Sequence, residues 1–244
     1  MDPEFINSRA LDCARLAQIN SSFKFLGFLS ESEAARVKAA IKNTDCNFEF
    51  FGGYDGAERT MLCCFPENAG APVYPIKPVT FRFRSCDKLA HRDFLGALTA
   101  LKISREKIGD ILIESGRAVV FLHKDIADFV IMNIGKIGKV GVKIEDGFEN
   151  PLPQMKKPVN VRATVSSLRL DCVLCELAKI SRNEAIDLIN SGYVILNSLP
   201  ASKPTVKIKG GDSISVRKKG KFKIISDEGL SKKGKTIIIY EKYI

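Results

Sequence analysis

Histidine is scarce. His91 and His123 are the only two in 244 residues. That scarcity removes most metal chemistry, because a structural zinc site needs four ligands, and the chain offers one C-x-x-C, Cys172-Val173-Leu174-Cys175, with both histidines far upstream. The pair lies inside an apolar helical pattern rather than at a helix start after a strand, so a redox role is not expected and both thiols read as buried apolar groups. Cys63-Cys64 lies in a strand, whose alternation places one thiol in the core. No apolar run approaches the roughly 20 residues that span a membrane. Met1-Asp2-Pro3-Glu4-Phe5 has neither the basic nor the apolar region of a secretory leader and reads as a cloning remnant. With an odd seven cysteines and no leader, a cytoplasmic protein with reduced thiols is expected. The glycines in Phe51-Gly52-Gly53-Tyr54-Asp55-Gly56 are not a phosphate loop, because no Gly-Lys-Ser/Thr follows; they read as a hairpin connection. Gly135-Lys136-Ile137-Gly138-Lys139-Val140-Gly141 follows a helix rather than a strand, so it does not fit a methyltransferase cofactor loop. The nucleotide-binding signatures of a tRNA synthetase are absent, and no cofactor is expected.

What is present is positive charge, unevenly placed. The formal charge is +10. From Val161 onward there are 16 Lys and Arg against 8 Asp and Glu, whereas residues 1–160 are nearly balanced at 22 against 20. The last third therefore asks for a polyanionic partner. It holds few aromatics, only Tyr193, Phe222, Tyr240 and Tyr243. Stacking unpaired bases needs aromatic platforms, so this third suits phosphates and the shape of a folded RNA.

The pattern along the chain predicts an α+β protein of three small domains. Residues 1–75 begin with a polar helix over Asp12 to Phe23 and an apolar stretch Phe25 to Phe28. Ser30-Glu31-Ser32-Glu33, a capping box, opens a helix through Ala34, Val37, Ala40 and Ile41. Strands at Phe48 to Phe51 and Met61 to Phe65 follow, and a proline-rich stretch from Pro66 to Pro78 marks a boundary. In residues 76–150, strands at Val79 to Phe83, Asp110 to Ile113, Ala118 to Leu122 and Val140 to Ile144 and helices at Asp93 to Leu101 and Lys124 to Ile134 give the order β-α-β-β-α-β, the ferredoxin-like arrangement that RNA-recognition modules share. Their aromatic-rich strand is missing: Arg117 to Leu122 holds Phe121 alone, so base stacking is not expected there. Gly147 to Pro158, closing on Lys156-Lys157, reads as a linker to residues 160–244.

Within that last domain Leu168 to Gly192 forms two short amphipathic helices. Leu170, Leu174 and Leu177 share one face, as do Ala185, Leu188 and Ile189. Ser181-x-x-Glu184 is a capping box and Gly192 suits a left-handed stop. Arg169 and Arg182 stand at the helix starts, where the dipole disfavours a cation. An anionic ligand would explain them. After the helices come strands at Tyr193 to Leu196, Ser213 to Val216, Phe222 to Ile225 and Thr236 to Tyr240.

Arg169-Leu170-Asp171, Ser181-Arg182-Asn183-Glu184-Ala185, Leu188 to Asn197 and Gly211 to Arg217 together resemble the S4 RNA-binding domain over about residues 166–225. The resemblance implies that Arg169, Ser181, Arg182 and Lys203 face RNA, with Lys207 and Arg217, Lys218, Lys219 and Lys221 beside them. Upstream, Phe51-Gly52-Gly53-Tyr54-x-x-Ala57-Glu58-Arg59, His91 to Leu98 and Arg105 to Ile111 look like the bacterial YlmH family. That resemblance implies a ribosome-associated factor for quality control of stalled large subunits, meeting rRNA and tRNA, and a monomeric protein without catalytic activity is expected. The competing reading is an RNA-modifying enzyme of the pseudouridine synthase type. Asp93 would be its aspartate, but a domain of about 70 residues is small for that chemistry, and a helix-capping role for Asp93 or Ser85 is the simpler expectation. A DNA-binding regulator is a third reading.

Overall fold

The strand Thr60–Phe65 is apolar on both of its sides, and each side is covered. Leu62 and Cys64 face two helices while Met61 faces a second sheet, so Cys63 and Cys64 are both buried, not one of them as alternation alone suggests. The computed structural model describes residues 3–153, 159–231 and 234–243. Met1-Asp2 and the expected linker lysines Lys156-Lys157 lie outside them. The chain divides into two compact units, Met1–Met155 and Lys156–Ile244.

The first unit begins with α1 (Pro3–Ile19), β1 (Lys24–Leu29), α2 (Glu31–Ile41), β2 (Asn47–Phe51) and β3 (Thr60–Phe65). The three strands form an antiparallel sheet ordered β1-β3-β2. Helix α1 starts nine residues earlier than its expected Asp12, and it buries Ile6, Ala10, Cys13, Ala14 and Ala17. This stripe of small residues gives little hydrophobic signal, which is why the segment reads as polar. The capping box of α2 is present: the Ser30 N–H donates to the Glu33 carboxylate at 2.8 Å and the Glu33 N–H to Ser30 Oγ.

Next come β4 (Ile76–Arg82), α3 (His91–Ala100), a 3-10 turn (Arg105–Lys107), β5 (Ile108–Glu114), β6 (Arg117–His123), α4 (Lys124–Asn133), β7 (Lys136–Ile137), β8 (Val140–Gly141) and β9 (Lys143–Asp146). The four-stranded antiparallel sheet runs β5-β6-β4-β9, the ferredoxin-like order. The last strand is Lys143–Asp146, not Val140 to Ile144. Val140-Gly141 instead pairs with Lys136-Ile137 in a small hairpin. Helices α3 and α4 cover one face of the sheet through Phe94, Leu98, Ala127 and Val130. Residues 147–153 do not behave as a free linker. The Gly147 N–H donates to Pro78 O, Thr80 Oγ1 donates to Gly147 O, and the Arg117 guanidinium donates to the carbonyls of Glu149 and Pro151.

The second unit comprises β10 (Val159–Val165), α5 (Leu170–Ala178), α6 (Arg182–Asn190), β11 (Val194–Leu196), β12 (Leu199–Pro200), β13 (Ser213–Val216), β14 (Gly220–Leu230) and β15 (Thr236–Tyr243). Its six-stranded antiparallel sheet is ordered β10-β15-β14-β13-β11-β12. Strand β10 is additional to the strands expected from sequence, although Val159, Val161, Ala163 and Val165 alternate through it. Leu170, Val173, Leu174, Leu177, Ala185 and Ile189 pack the two helices onto Ile214, Phe222, Ile224 and Ile238 of the sheet. Cys175 packs against this core and Cys172 is half-buried, so the pair is less enclosed than expected.

Candidate RNA interface

The turn between α5 and α6 brings two arginines onto one buried carboxylate. Asp171 is 0% exposed. Arg169 grips it in a fork, Nε to Oδ1 at 3.0 Å and Nη2 to Oδ2 at 2.9 Å. Arg182 reaches the same Oδ2 with Nε at 3.0 Å and Nη2 at 2.8 Å, and the Cys172 N–H donates to Oδ1 at 3.0 Å. Paired hydrogen bonds from Arg169, then from Arg182, hold the Asp171 carboxyl well below the usual carboxylate range, and burial only partly opposes them. An acid in the first turn also favours the helix dipole. The anion that reconciles the two cations with the helix starts is therefore Asp171, and no bound anion is needed for it.

The start of α5 is closed to an anion in any case. The Leu170 and Asp171 N–H groups donate to Val206 O at 2.8 Å and Pro204 O at 3.0 Å. This pairing lays the 203–207 loop, with exposed Lys203 and Lys207, alongside Arg169, and Arg169 forms a β-bridge with Lys207. Each arginine spends its Nε–Nη2 edge on Asp171 and turns the rest outward. The side chains are 42% and 56% exposed. Among the described residues Nη1 of neither has a protein partner. The result is two guanidiniums fixed in orientation with free donor edges, the geometry that suits phosphate.

Ser181 caps α6 by accepting the Glu184 N–H at 3.2 Å. The Glu184 carboxylate lies 3.7 Å from Lys219 Nζ, which ties the β13–β14 turn to the same helix. Helix α6 stops as expected: Gly192 has φ +71, its N–H donates to Ile189 O, and the Tyr193 N–H donates to Leu188 O, a Schellman motif. Arg217 stacks on the Tyr193 ring at 4.7 Å, and these two with Lys218 and Lys221 line a shallow depression of about 600 Å³. Tyr193 was legible only as an aromatic in a poor region; its pairing with Arg217 depends on β11 and β13 being neighbours. The structure thus places Arg169, Lys203 and Lys207 at the start of α5 and Ser181 and Arg182 at the start of α6, joined through Asp171. Arg217, Lys218, Lys219 and Lys221 form a second group on the β13–β14 turn, linked to the first through α6. A further clamp holds the loops: Asn197 Nδ2 donates to Asp212 Oδ1 at 2.9 Å, while the Lys209 N–H donates to Asp212 Oδ2 and the Ser213 N–H to Asn197 Oδ1. The Arg-Leu-Asp and Ser-Arg blocks meet at Asp171, and the blocks carrying Asn197 and Asp212 meet at this clamp.

In the first unit the Phe51 to Arg59 motif is a seam between the two sheets. Buried Asp110 on β5 accepts the Tyr54 hydroxyl at 2.8 Å, the Glu58 N–H at 2.7 Å and the Arg59 N–H at 3.1 Å. The Arg59 guanidinium donates to the carbonyls of Ile108, Phe28 and Arg105, and burial, then nearby Arg105, push its pKa down to about 10. Tyr54 stacks on Phe121 at 4.9 Å. Gly53, at φ +101, leaves room for that ring, since a Cβ there would sit 2.5 Å from Phe121. Phe121 is 0% exposed beneath Tyr54, Phe148, Phe28 and Met61. The sheet face on which RNA-recognition modules stack bases is occupied by the protein itself. Asp93 accepts the Ala90 N–H at 2.8 Å, so its carboxylate closes the start of α3. Among the described residues no group of three or more His, Cys, Asp or Glu could hold a metal, and no helix is long and apolar enough to cross a membrane.

Residues 79–149 match a family model described as a putative RNA-binding domain in YlmH. Over 238 residues the chain is 32% identical to the ribosome-associated protein quality control protein P2 of Bacillus subtilis strain 168, covering 96% of this chain and 93% of that protein. The chain belongs to the YlmH family. A solved YlmH structure, the cell division protein ylmH from Streptococcus pneumoniae, superposes with a TM-score of 0.53 at 14% identity, over 60% of this chain and 91% of that one. That fold is thus shared over part of the chain at low identity, and two of the three motifs that suggested the family, around Tyr54 and Arg105, lie in the seam.

Proposed function

We propose that this chain is a non-catalytic, monomeric cytoplasmic protein that docks on structured rRNA of the large ribosomal subunit and on tRNA, in rescue or quality control of stalled ribosomes. In this reading residues 160–244 are an S4-type domain and the contact surface, while residues 1–75 and 76–150 are the N-terminal and ferredoxin-like domains that add specificity. The observation that carries the proposal is the pair Arg169 and Arg182, locked on buried Asp171 with donor edges facing solvent in the most basic third of the chain. The B. subtilis relative's name supports the ribosomal setting, and the family model's description supports RNA.

A surface of this kind binds by displacing counterions. If roughly five phosphates are engaged, the logarithm of the association constant should fall with the logarithm of salt with a slope of about −4, a loss on the order of a hundredfold between roughly 50 and 200 mM. Titration of purified large subunits with the chain across that range tests it. A slope near zero would refute electrostatic docking, and duplex DNA competing as well as ribosomal RNA would refute recognition of folded RNA.

A further inference from the structure

The reading above gives residues 76–150 a part in specificity, and the family model matched over 79–149 is described as RNA-binding, but neither names the residues that make contact; this unit carries a cationic projection of its own. Helix α4 ends at Asn133, and Gly135 to Gly141 then folds into the β7–β8 hairpin, Lys136 opposite Gly141 and Ile137 opposite Val140. The turn is two residues, Gly138-Lys139, with Gly138 at φ +57, which fits the type II′ preference for glycine first. Its base is rigid. Ile137 is 0% exposed in the core with Phe94 and Leu98, and the Val142 N–H donates to Gly135 O at 3.1 Å. Its tip is bare: Lys136, Gly138 and Lys139 are exposed.

Among the described residues, the cations on the strands of the neighbouring four-stranded sheet are paired, whereas those of the hairpin, like Lys88, Lys102 and Lys124 elsewhere in the domain, are not. Lys77, Arg82, Arg84, Arg117 and Lys143 all pair with acids: Lys77 with Asp128 and Asp146, Arg82 with Glu145 and Glu149. Among the described residues Lys136 and Lys139 have no ion-pair partner. The flanking glycines agree with an external contact. Neither Gly135 nor Gly141 is left-handed, and a Cβ at either would meet nothing within 4 Å. Neither the fold of the backbone nor packing asks for glycine at these positions, and Gly141 lies in a strand, where glycine weakens pairing. Glycine there leaves room for close approach of the backbone by another chain. Two lysines without ion-pair partners on an exposed hairpin flanked by glycines suit a run of phosphates.

We propose that the 135–141 hairpin is a second RNA contact, gripping the phosphodiester backbone while the covered sheet face takes no part. The inference rests on the reading of the chain as an RNA-binding protein, but on different residues. Its test uses the full chain, purified large subunits and a protein-free stem-loop RNA. Lys136→Glu with Lys139→Glu should lower affinity for both about tenfold and make the salt slope shallower by about 2. Gly141→Ala should leave the thermal midpoint unchanged or slightly higher and lower affinity severalfold. Wild-type affinity and slope in the lysine variant would overturn the proposal, as would a loss confined to intact subunits, which would point to an acidic ribosomal protein. Wild-type affinity in Gly141→Ala would overturn close backbone approach. If Arg169→Glu with Arg182→Glu loses binding while the hairpin variants keep wild-type affinity, the hairpin proposal falls and docking through residues 160–244 stands; if the hairpin variants lose binding while the arginine variant keeps it, the reverse holds.

Discussion

Arg169→Glu combined with Arg182→Glu is expected to lower the affinity for large ribosomal subunits by a hundredfold or more, enough to move the chain from the pellet to the supernatant on co-sedimentation. Two outward guanidinium edges are lost, each charge-assisted contact being worth about 1.5–3 kcal/mol, and each 1.4 kcal/mol is a factor of ten. The reversed charges also repel the phosphates they formerly met. Because two glutamates beside buried Asp171 strain the α5–α6 turn, Arg169→Gln with Arg182→Gln serves as the milder companion, expected to lose about tenfold. Circular dichroism establishes that each variant is folded. Undiminished co-sedimentation of both folded variants would remove the site.

Asp110→Asn is expected to destabilise the first unit by about 3–4 kcal/mol. The carboxylate holds three donors from the Tyr54 to Arg59 segment in a mostly dry seam, and an amide of the same shape turns its own NH₂ toward at least one of them. For a unit of about 155 residues this lowers the melting transition by roughly 10 °C. Tyr54→Phe removes one of the three bonds and should cost about 1 kcal/mol. Scanning calorimetry distinguishes the units, since residues 156–244 share none of these contacts and their transition should not move. An unchanged transition in Asp110→Asn would show that the seam does not hold the sheets together.

Local patterns in the sequence were enough to place most elements. Ser30 to Glu33 announces the start of α2, and the alternation from Val79 to Phe83 and the apolar run from Ala118 to Leu122 announce central strands. Gly192 announces the end of α6. The misses share a cause, which is that the deciding contact is remote or the signal is weak. Helix α1 buries alanines and a cysteine, which contrast little with their polar neighbours. Strand β10 alternates clearly, but its partner β15 is more than 70 residues away. Residues 147–153 read as a linker because carbonyls carry the strap, and Arg117, Thr80 and Pro78 receive it only after the sheet has formed. At the candidate site the residue types were legible and their arrangement was not. Arg169 and Arg182 appeared as cations awaiting an external anion, whereas the fold supplies Asp171, two residues from one and eleven from the other. Phe121 was legible as the one aromatic of its strand, but not its burial under the first sheet.

Asp171→Asn separates presentation from charge. The substitution adds one unit of positive charge to the interface, so attraction by net charge alone would tighten RNA binding. It also removes the carboxylate that orients both guanidiniums. The decisive measurement is the affinity of Asp171→Asn for purified large subunits relative to the unaltered chain, at a temperature where both are folded by circular dichroism. Docking through arginines positioned by Asp171 predicts binding about tenfold weaker despite the added charge. Equal or tighter binding would contradict it.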